Sequence, residues 1–415
     1  MYKRQSVEFS GTPGAASVSP SGVVINEVLA HTDAPQSDTI ELHNPTDQAI
    51  VVGSWFLSDS VASPFKFQIP AGTSIPAGGY LVYDESDFNP NPDNPGANDF
   101  TLSSNGESVL LSRAVVVAGS ATTFLEDSVT FGATFNGDSL GRLPNGTGRL
   151  TRLASTSFGS ANGDAEVDSL VISEVNYHPG DPSAAALAID SLLTDNDLEY
   201  IEIANPTSST IDLTNWRIRG EADYEFAAGT SLAAGEVIVV VSFDPSPLAG
   251  NADKLAAFEA HYGIGPGVTI VGGLSASLSN SSGRVSLQQP DTPDLLGEIP
   301  HVVVDEVVYD DLAPWGDADG SGLVLQRSEL SANGNLPTSW TADAATPGVF
   351  EDDFLLADVN QDGVVDFLDI GPFITVLTSG EYFLEADVNQ DGVVDFLDIG
   401  PFISCLLYTS PSPRD

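Results

Sequence analysis

The chain has 415 residues, of which 59 are acidic and 13 basic, for a formal net charge of −46. Such a surface repels phosphate backbones and anionic headgroups, which excludes nucleic acid and acidic membranes as partners. No apolar run approaches the roughly 20 residues that span a bilayer, yet a hydrophobic content of 41% can supply cores for two or three domains at this length. The one cysteine, Cys405, leaves no disulfide framework to report a redox compartment.

Both ends, MYKRQ and CLLYTSPSPRD, read as translated adapter sequence from assembled reads. On that reading residues 1–19 combine an artefact with the tail of a module lost upstream, and 407–415 are artefact. The natural protein would then extend past both ends. The small, turn-rich residues before position 20 resemble two later stretches, FGSANGDAEV (158–167) and TPGVFED (346–352), as module ends resemble one another.

Residues 20–165 carry short alternating apolar runs broken by Gly, Pro, Asn and Asp. VVINEV (23–28), DTIELHN (38–44), GYLVYD (79–84), ESVLLS (107–112) and DSVTFG (127–132) each predict a half-buried strand. No helical period competes, so an antiparallel sandwich or barrel is expected. The same order of signals returns in 168–350 as a diverged second copy. Ile25-Asn26-Glu27-Val28 corresponds to Ile172-Ser173-Glu174-Val175, and IELHNPT (40–46) to IEIANPT (201–207). Trp55 and Trp216 lie at matching distances beyond Asn44 and Asn205, and AGTSIPAGGYLVY (71–83) matches AGTSLAAGEVIVV (228–240). Insertions fall in the second copy: residues 179–197, and ADKLAAFEAHYG (252–263), whose pattern and closing glycine predict a short surface helix.

The pattern I-x-E-V, then I-E-L-x-N-P-T, then the tryptophan, resembles the lamin-tail domain, an immunoglobulin-like sandwich. The resemblance covers 20–165 and 168–350 and implies tandem modules of a large secreted or surface protein. Within it, Glu27 with Glu41 and Glu174 with Glu202 are candidate carboxylate pairs for acid–base or metal chemistry. Their recurrence in both copies favours a structural role, as acceptors of backbone or hydroxyl hydrogen bonds at a sheet edge. Trp55 and Trp216 are expected in the core, with a sugar-stacking surface as the alternative. DADGSG (317–322) imitates half a calcium loop, but the apolar Leu323 to Leu325 follow, and a turn before a strand is the better account.

The chain then repeats itself. ADVNQDGVVDFLDIGPFI at 357–374 recurs unchanged at 386–403. Oxygen-bearing side chains fall at positions 1, 3, 5, 9 and 12 of a twelve-residue loop: Asp358, Asn360, Asp362, Asp366 and Asp369, then Asp387, Asn389, Asp391, Asp395 and Asp398. Gly363 and Gly392 stand at position 6, where the chain turns sharply, and Val364 and Val393 at position 7 need offer only a carbonyl. Aspartates this crowded repel one another without a cation, and the spacing suits calcium, one ion per loop and two in all. Only 17 residues, Ile370 to Ala386, separate the loops, so each keeps an exit helix and lacks an entering one. Gly371-Pro372 lies inside the expected exit helix, which should kink there or restart with Pro372 in its first turn.

Duplicated loop-plus-helix units with Asp at position 12 resemble the dockerin type I module, over about 353–406. That resemblance implies a cohesin-like protein receptor and an extracellular or cell-surface location, with extracellular polysaccharide as a further candidate partner. It also implies that positions 10 and 11, Phe367 with Leu368 and Phe396 with Leu397, help select the receptor; packing between the two halves is the competing use of such apolar residues. The five histidines show no paired metal spacing, and no nucleophile elbow or phosphate loop appears. The expected whole is mainly β: two immunoglobulin-like sandwiches plus a small α-helical calcium-binding domain, in a non-catalytic secreted protein. The alternative is the accessory end of a polysaccharide-degrading hydrolase or other enzyme whose catalytic domain lies upstream.

Overall fold

The computed structural model describes residues 20–117, 120–293, 297–349, 357, 359–360, 365, 367–379, 383, 386, 388 and 393–408. Two compact units divide the chain, one of residues 1–167 with 288–304, the other of 168–287 with 305–415.

In the first, β1 (Val24–Leu29), β2 (Thr39–His43), β7 (Tyr80–Asp84), β10 (Ser139–Leu143) and β11 (Arg149–Arg152) form a five-stranded sheet ordered β11-β10-β1-β2-β7. Between β2 and β7 the chain forms β3 (Ile50–Val51), β4 (Phe56–Ser58), β5 (Phe67–Gln68) and β6 (Ser74–Ile75). β8 (Gly106–Val117) and β9 (Ser120–Gly132) complete a second sheet, ordered β5-β4-β8-β9, while β3 pairs with β6. Ile25, Ile40, Leu42, Trp55, Leu57, Val109 and Leu111 fill the core. Every strand expected from alternation is present, but β1 and β2 are buried on both faces and not half-buried, because the segment after β11 covers the side of the sheet away from the core. One helical turn, α1 (Glu85–Phe88), also forms. It rests on reciprocal capping by Asp84 and Asp87 and not on a hydrophobic period, which is why periodicity did not reveal it.

The second copy repeats this plan. β12 (Val171–Asn176), β13 (Tyr200–Ala204), β18 (Val237–Val241), β19 (Thr269–Gly272), β22 (Leu323–Arg327) and β23 (Trp340–Ala344) form a sheet ordered β19-β18-β13-β12-β22-β23. β15 (Arg217–Gly220), β16 (Tyr224–Glu225), β20 (Ser282–Pro290) and β21 (His301–Asp310) form the other, ordered β16-β15-β20-β21. β14 (Ile211–Asp212) pairs with β17 (Ser231–Leu232). The first insertion holds α2 (Ala184–Ile189) and a 3-10 turn (Asp195–Leu198). The second holds the expected helix, α3 (Ala252–Tyr262), ended by left-handed Gly263 at φ 72°. Ala186 of α2 and Ala257 and Phe258 of α3 share one buried cluster with Tyr200. DADGSG is a turn leading into β22, as expected.

The N-P-T motif is a carbonyl cage. Asn44 Nδ2 donates to the carbonyls of Gln48 (2.7 Å), Ile75 (3.0 Å) and Pro76 (2.9 Å), and its Oδ1 accepts from the Thr46 N–H (3.1 Å) and hydroxyl (2.7 Å). Asn205 repeats the set with Ser209 (2.8 Å), Leu232 (3.0 Å), Ala233 (2.9 Å) and Thr207 (3.1 and 2.7 Å). Asn44→Ala therefore removes the amide that the Gln48, Ile75 and Pro76 carbonyls share, at an expected cost of about 1–3 kcal/mol. Chemical denaturation of the full chain reads this, and a loss under about 0.5 kcal/mol would show that water replaces the amide.

An ion pair missed in the sequence braces each sandwich across its two sheets. A bulge at Asn26 shifts the β1–β2 register. There Asp127 Oδ2, from β9, accepts the Ile25 N–H (2.8 Å) and Arg142 Nη2 (2.9 Å), while Arg142 Nε donates to the Ile25 carbonyl (2.8 Å). Asp305 and Arg327 treat Ile172 alike: Asp305 Oδ2 accepts its N–H at 2.7 Å, and Arg327 Nη1 pairs with Asp305 and donates to the Ile172 carbonyl at 3.2 Å. The brace satisfies both main-chain groups that the bulge would orphan.

Candidate metal centre and docking face

The four recurring glutamates meet as expected but are not at a sheet edge. Glu27 stands opposite Glu41, and Glu174 opposite Glu202, on strands interior to their sheets. All four are at most 1% exposed, and their oxygens are committed to hydrogen bonds. Glu27 accepts from the Ser139 hydroxyl (2.6 Å) and from the Ser157 N–H (3.0 Å) and hydroxyl (2.7 Å). Glu41 accepts from Asn26 Nδ2 (2.9 Å) and the Gly159 N–H. In the second copy Glu174 accepts from the Tyr200 and Thr346 hydroxyls and the Thr346 N–H (3.1 Å), and Glu202 from the Ser173 hydroxyl (2.8 Å) and the Gly348 N–H (2.7 Å). Each pair thus staples the segment after the last strand across the sheet. Trp55 and Trp216 are buried, so neither indole offers a surface for sugar.

The staple is sensitive to pH. Burial, opposed by the hydrogen bonds from Asn26 and Gly159 and aided by the neighbouring Glu27, leaves the Glu41 carboxyl raised to about 7. A carboxyl raised in the folded state contributes stability that is fully present below its unfolded value, near 4.5, and lost as pH rises through about 7. Glu41→Gln, which cannot ionise, should therefore gain about 1–3 kcal/mol on the native chain between pH 5 and pH 8. Urea midpoints of both proteins at the two pH values test this. An equal difference at both would show that Glu41 does not titrate in this range.

The C-terminal repeat builds a different site. Asp369 and Asp398, at position 12 of each loop, directly precede α4 (Ile370–Ser379) and α5 (Ile399–Tyr408). Their carbonyls accept the first helical bonds, from Phe373 (2.9 Å) and Phe402 (2.8 Å). Their side chains are fully buried and turn back to the loops. Asp369 Oδ1 accepts the N–H of Asn360 (3.0 Å), and Asp398 Oδ2 that of Asp395 (2.8 Å), whose own Oδ1 accepts from Leu397 (2.7 Å). Positions 3 and 12 of the first loop, and 9 and 12 of the second, are thereby brought together. Val393 at position 7 is exposed. Asp358, Asp362, Val364, Asp366, Asp387, Asn389 and Asp391 lie outside the described residues. α4 begins at Ile370 and α5 at Ile399, so Pro372 and Pro401 sit in the first turn, where a missing N–H costs nothing.

The donor chemistry fits a hard cation. No Lys, Arg or His occurs from Ser328 through Pro413. Aspartates crowded at this spacing repel one another, and an ion taking six to eight oxygens offsets that charge.

The two halves pack through their helices. Phe373 stacks on Phe402 at 4.0 Å and 11°, within a core that includes Val359, Val365, Val388 and Leu406. Phe367 and Phe396 instead stand 75% and 80% exposed, and Leu368 and Leu397 are both 67% exposed. Packing between the halves is thus done by Phe373 and Phe402, and the position 10 and 11 pairs face outward. Ile374 and Ile403 on the helices, not singled out in the sequence, are also exposed; the repeat's identity extends to them and was the available signal.

Family models match the chain as follows: the Lamin Tail Domain over residues 16–140 and 164–291, and the Dockerin type I domain over 356–407. The chain belongs to the lamin tail domain family. It carries two lamin tail domains followed by a dockerin type I domain, modules that are non-catalytic, and dockerins of this type bind calcium. No curated protein matches it. Among solved structures it is similar to a DUF4876 family protein from Bacteroides thetaiotaomicron VPI-5482, at 11% identity and a TM-score of 0.26, over 80% of this chain and 94% of that one. Among the described residues no helix is long and apolar enough to cross a membrane.

Proposed function

We propose that this chain is a non-catalytic part of a secreted or cell-surface multi-modular protein, attached through its dockerin to a cohesin-like receptor. The lamin tail domains, taken as residues 20–165 and 168–350, act as spacer or adhesion modules. Residues 353–406 bind two calcium ions, one per loop, with position 12 supplied by Asp369 and Asp398. Phe367, Leu368, Phe396 and Leu397 make the receptor contact. The observation that carries this reading is the outward exposure of both apolar pairs, each immediately ahead of a buried loop carboxylate. Solvent-facing Phe and Leu at matched places in two identical units lose apolar area only to a partner. Titrating cohesin-type domains onto the full chain, with calcium and then with chelator, tests it. Binding that vanishes on chelation is expected; no binding across a panel of cohesin types, with calcium bound, would overturn it.

A further inference from the structure

The two lamin tail domains differ at one sheet edge. In the second, the outer edge of β18 is taken by β19, which runs parallel to it with Val239 opposite Ile270 and Val241 opposite Gly272. The Gly273 N–H continues the pairing, donating to the Val241 carbonyl at 3.2 Å. All five residues of β18 are buried. In the first domain the equivalent strand is β7, with Tyr80 and Val82 at the places of Val237 and Val239 in the matched segments. Among the described residues β7 is the last strand of its sheet, and Tyr80, Leu81 and Val82 are only half-buried.

The register against β2 determines which groups this edge offers. The Asn44 N–H donates to the Gly79 carbonyl (3.0 Å) and the Glu85 N–H to the Asp38 carbonyl (2.8 Å). In an antiparallel ladder, residues 79, 81, 83 and 85 then turn their main-chain groups toward β2, and Tyr80 and Val82 turn theirs outward. The Asp84 N–H is already bound to Asp87 (3.2 Å). Tyr-Leu-Val-Tyr has strong β-propensity and carries none of the lysine, proline or bulge that usually blunts an open edge.

We infer that the outer edge of β7 accepts an extended strand from a partner polypeptide, added in parallel as β19 is added to β18. The partner is apolar at alternate positions. Parallel addition sets its C-terminal end beside Asp84, Glu85 and Asp87, so that end is basic.

The test uses the full chain and a synthetic peptide, Gly-Val-Thr-Ile-Val-Gly-Lys, which copies the β19 segment and adds a C-terminal lysine. In the free chain the amides of Tyr80 and Val82 should exchange with solvent at least a hundredfold faster than those of Val239 and Val241, and the peptide should slow them. Val82→Pro removes an outward N–H without touching the ladder to β2. It should weaken peptide binding tenfold or more while the unfolding temperature holds. A peptide N-methylated at its second Val, the counterpart of Val271, whose N–H faces the paired strand as that of Gly273 does, measured on the unaltered chain, should also lose binding. Protection of Tyr80 and Val82 before the peptide is added, exchange that the peptide leaves unchanged, or binding that survives N-methylation overturns the inference.

Discussion

Chelating calcium should unfold the dockerin while the two lamin tail domains stay folded. The module's core is small, centred on the Phe373–Phe402 stack, and a segment of this size seldom buries enough surface to fold alone. Asp369 and Asp398 are fully buried beside it, in a stretch without one basic side chain. Without an ion, the aspartates crowded into each loop repel one another, which opposes the fold. Binding free energy here is folding free energy, worth about 2.7 kcal/mol per site at a calcium concentration 100 times the dissociation constant. The expected result is loss of the α4 and α5 helical signal in circular dichroism on chelation, recovered when calcium returns. Hydrogen exchange in the β-sheets should not change. A helical signal indifferent to chelation would mean that other groups neutralise the buried aspartates.

The second large effect concerns receptor binding. The repeat is identical from 357 to 374 and from 386 to 403, and matched residues have matched exposure: 75% and 80% for the phenylalanines, 67% for both leucines. Each half therefore presents the same apolar pair, and on the proposed receptor contact either would fill one receptor site, in orientations related by about 180°. Replacing Phe367 and Leu368 with Ser should remove one of two equivalent modes. That lowers affinity only about twofold, or about 0.4 kcal/mol. The same holds for Phe396 and Leu397. Replacing all four removes both modes and should weaken binding more than a hundredfold, since exposed aromatic anchors dominate such contacts. Calcium affinity should stay nearly unchanged, because none of the four is a ligand side chain. If one pair alone abolishes binding while calcium still binds, the two halves are not interchangeable.

Much of this protein is local and so was legible in one dimension. Alternation and bounding turn residues gave five strands of the first sandwich, β1, β2, β7, β8 and β9, whereas β3 to β6, β10 and β11 are too short or too irregular to show a period. The candidate calcium loops could be read because the proposed ligands of each lie within twelve consecutive residues. Duplication did the rest, pairing Glu27 with Glu174 and Asn44 with Asn205 before any contact was known.

Other features depend on residues far apart in the chain, and only the tertiary structure decided them. Glu27 meets Ser157 across a sequence separation of 130, and Glu174 meets Thr346 across 172. Nothing near either glutamate told whether it would open on a cleft or hold a strap. The brace at Ile25 needs Asp127, 102 residues away, because a bulge orphans main-chain groups that only the opposite sheet can reach. Phe367 and Phe373 are the same residue type within one repeat, yet one faces solvent and the other the core. The difference comes from where the loop ends and the helix begins, which sets the direction of each side chain against the other half. β19 is the plainest case. A parallel strand arrives through a long connection and carries no local sign of its partner, so the covered edge of β18 and the open edge of β7 could be told apart only in three dimensions.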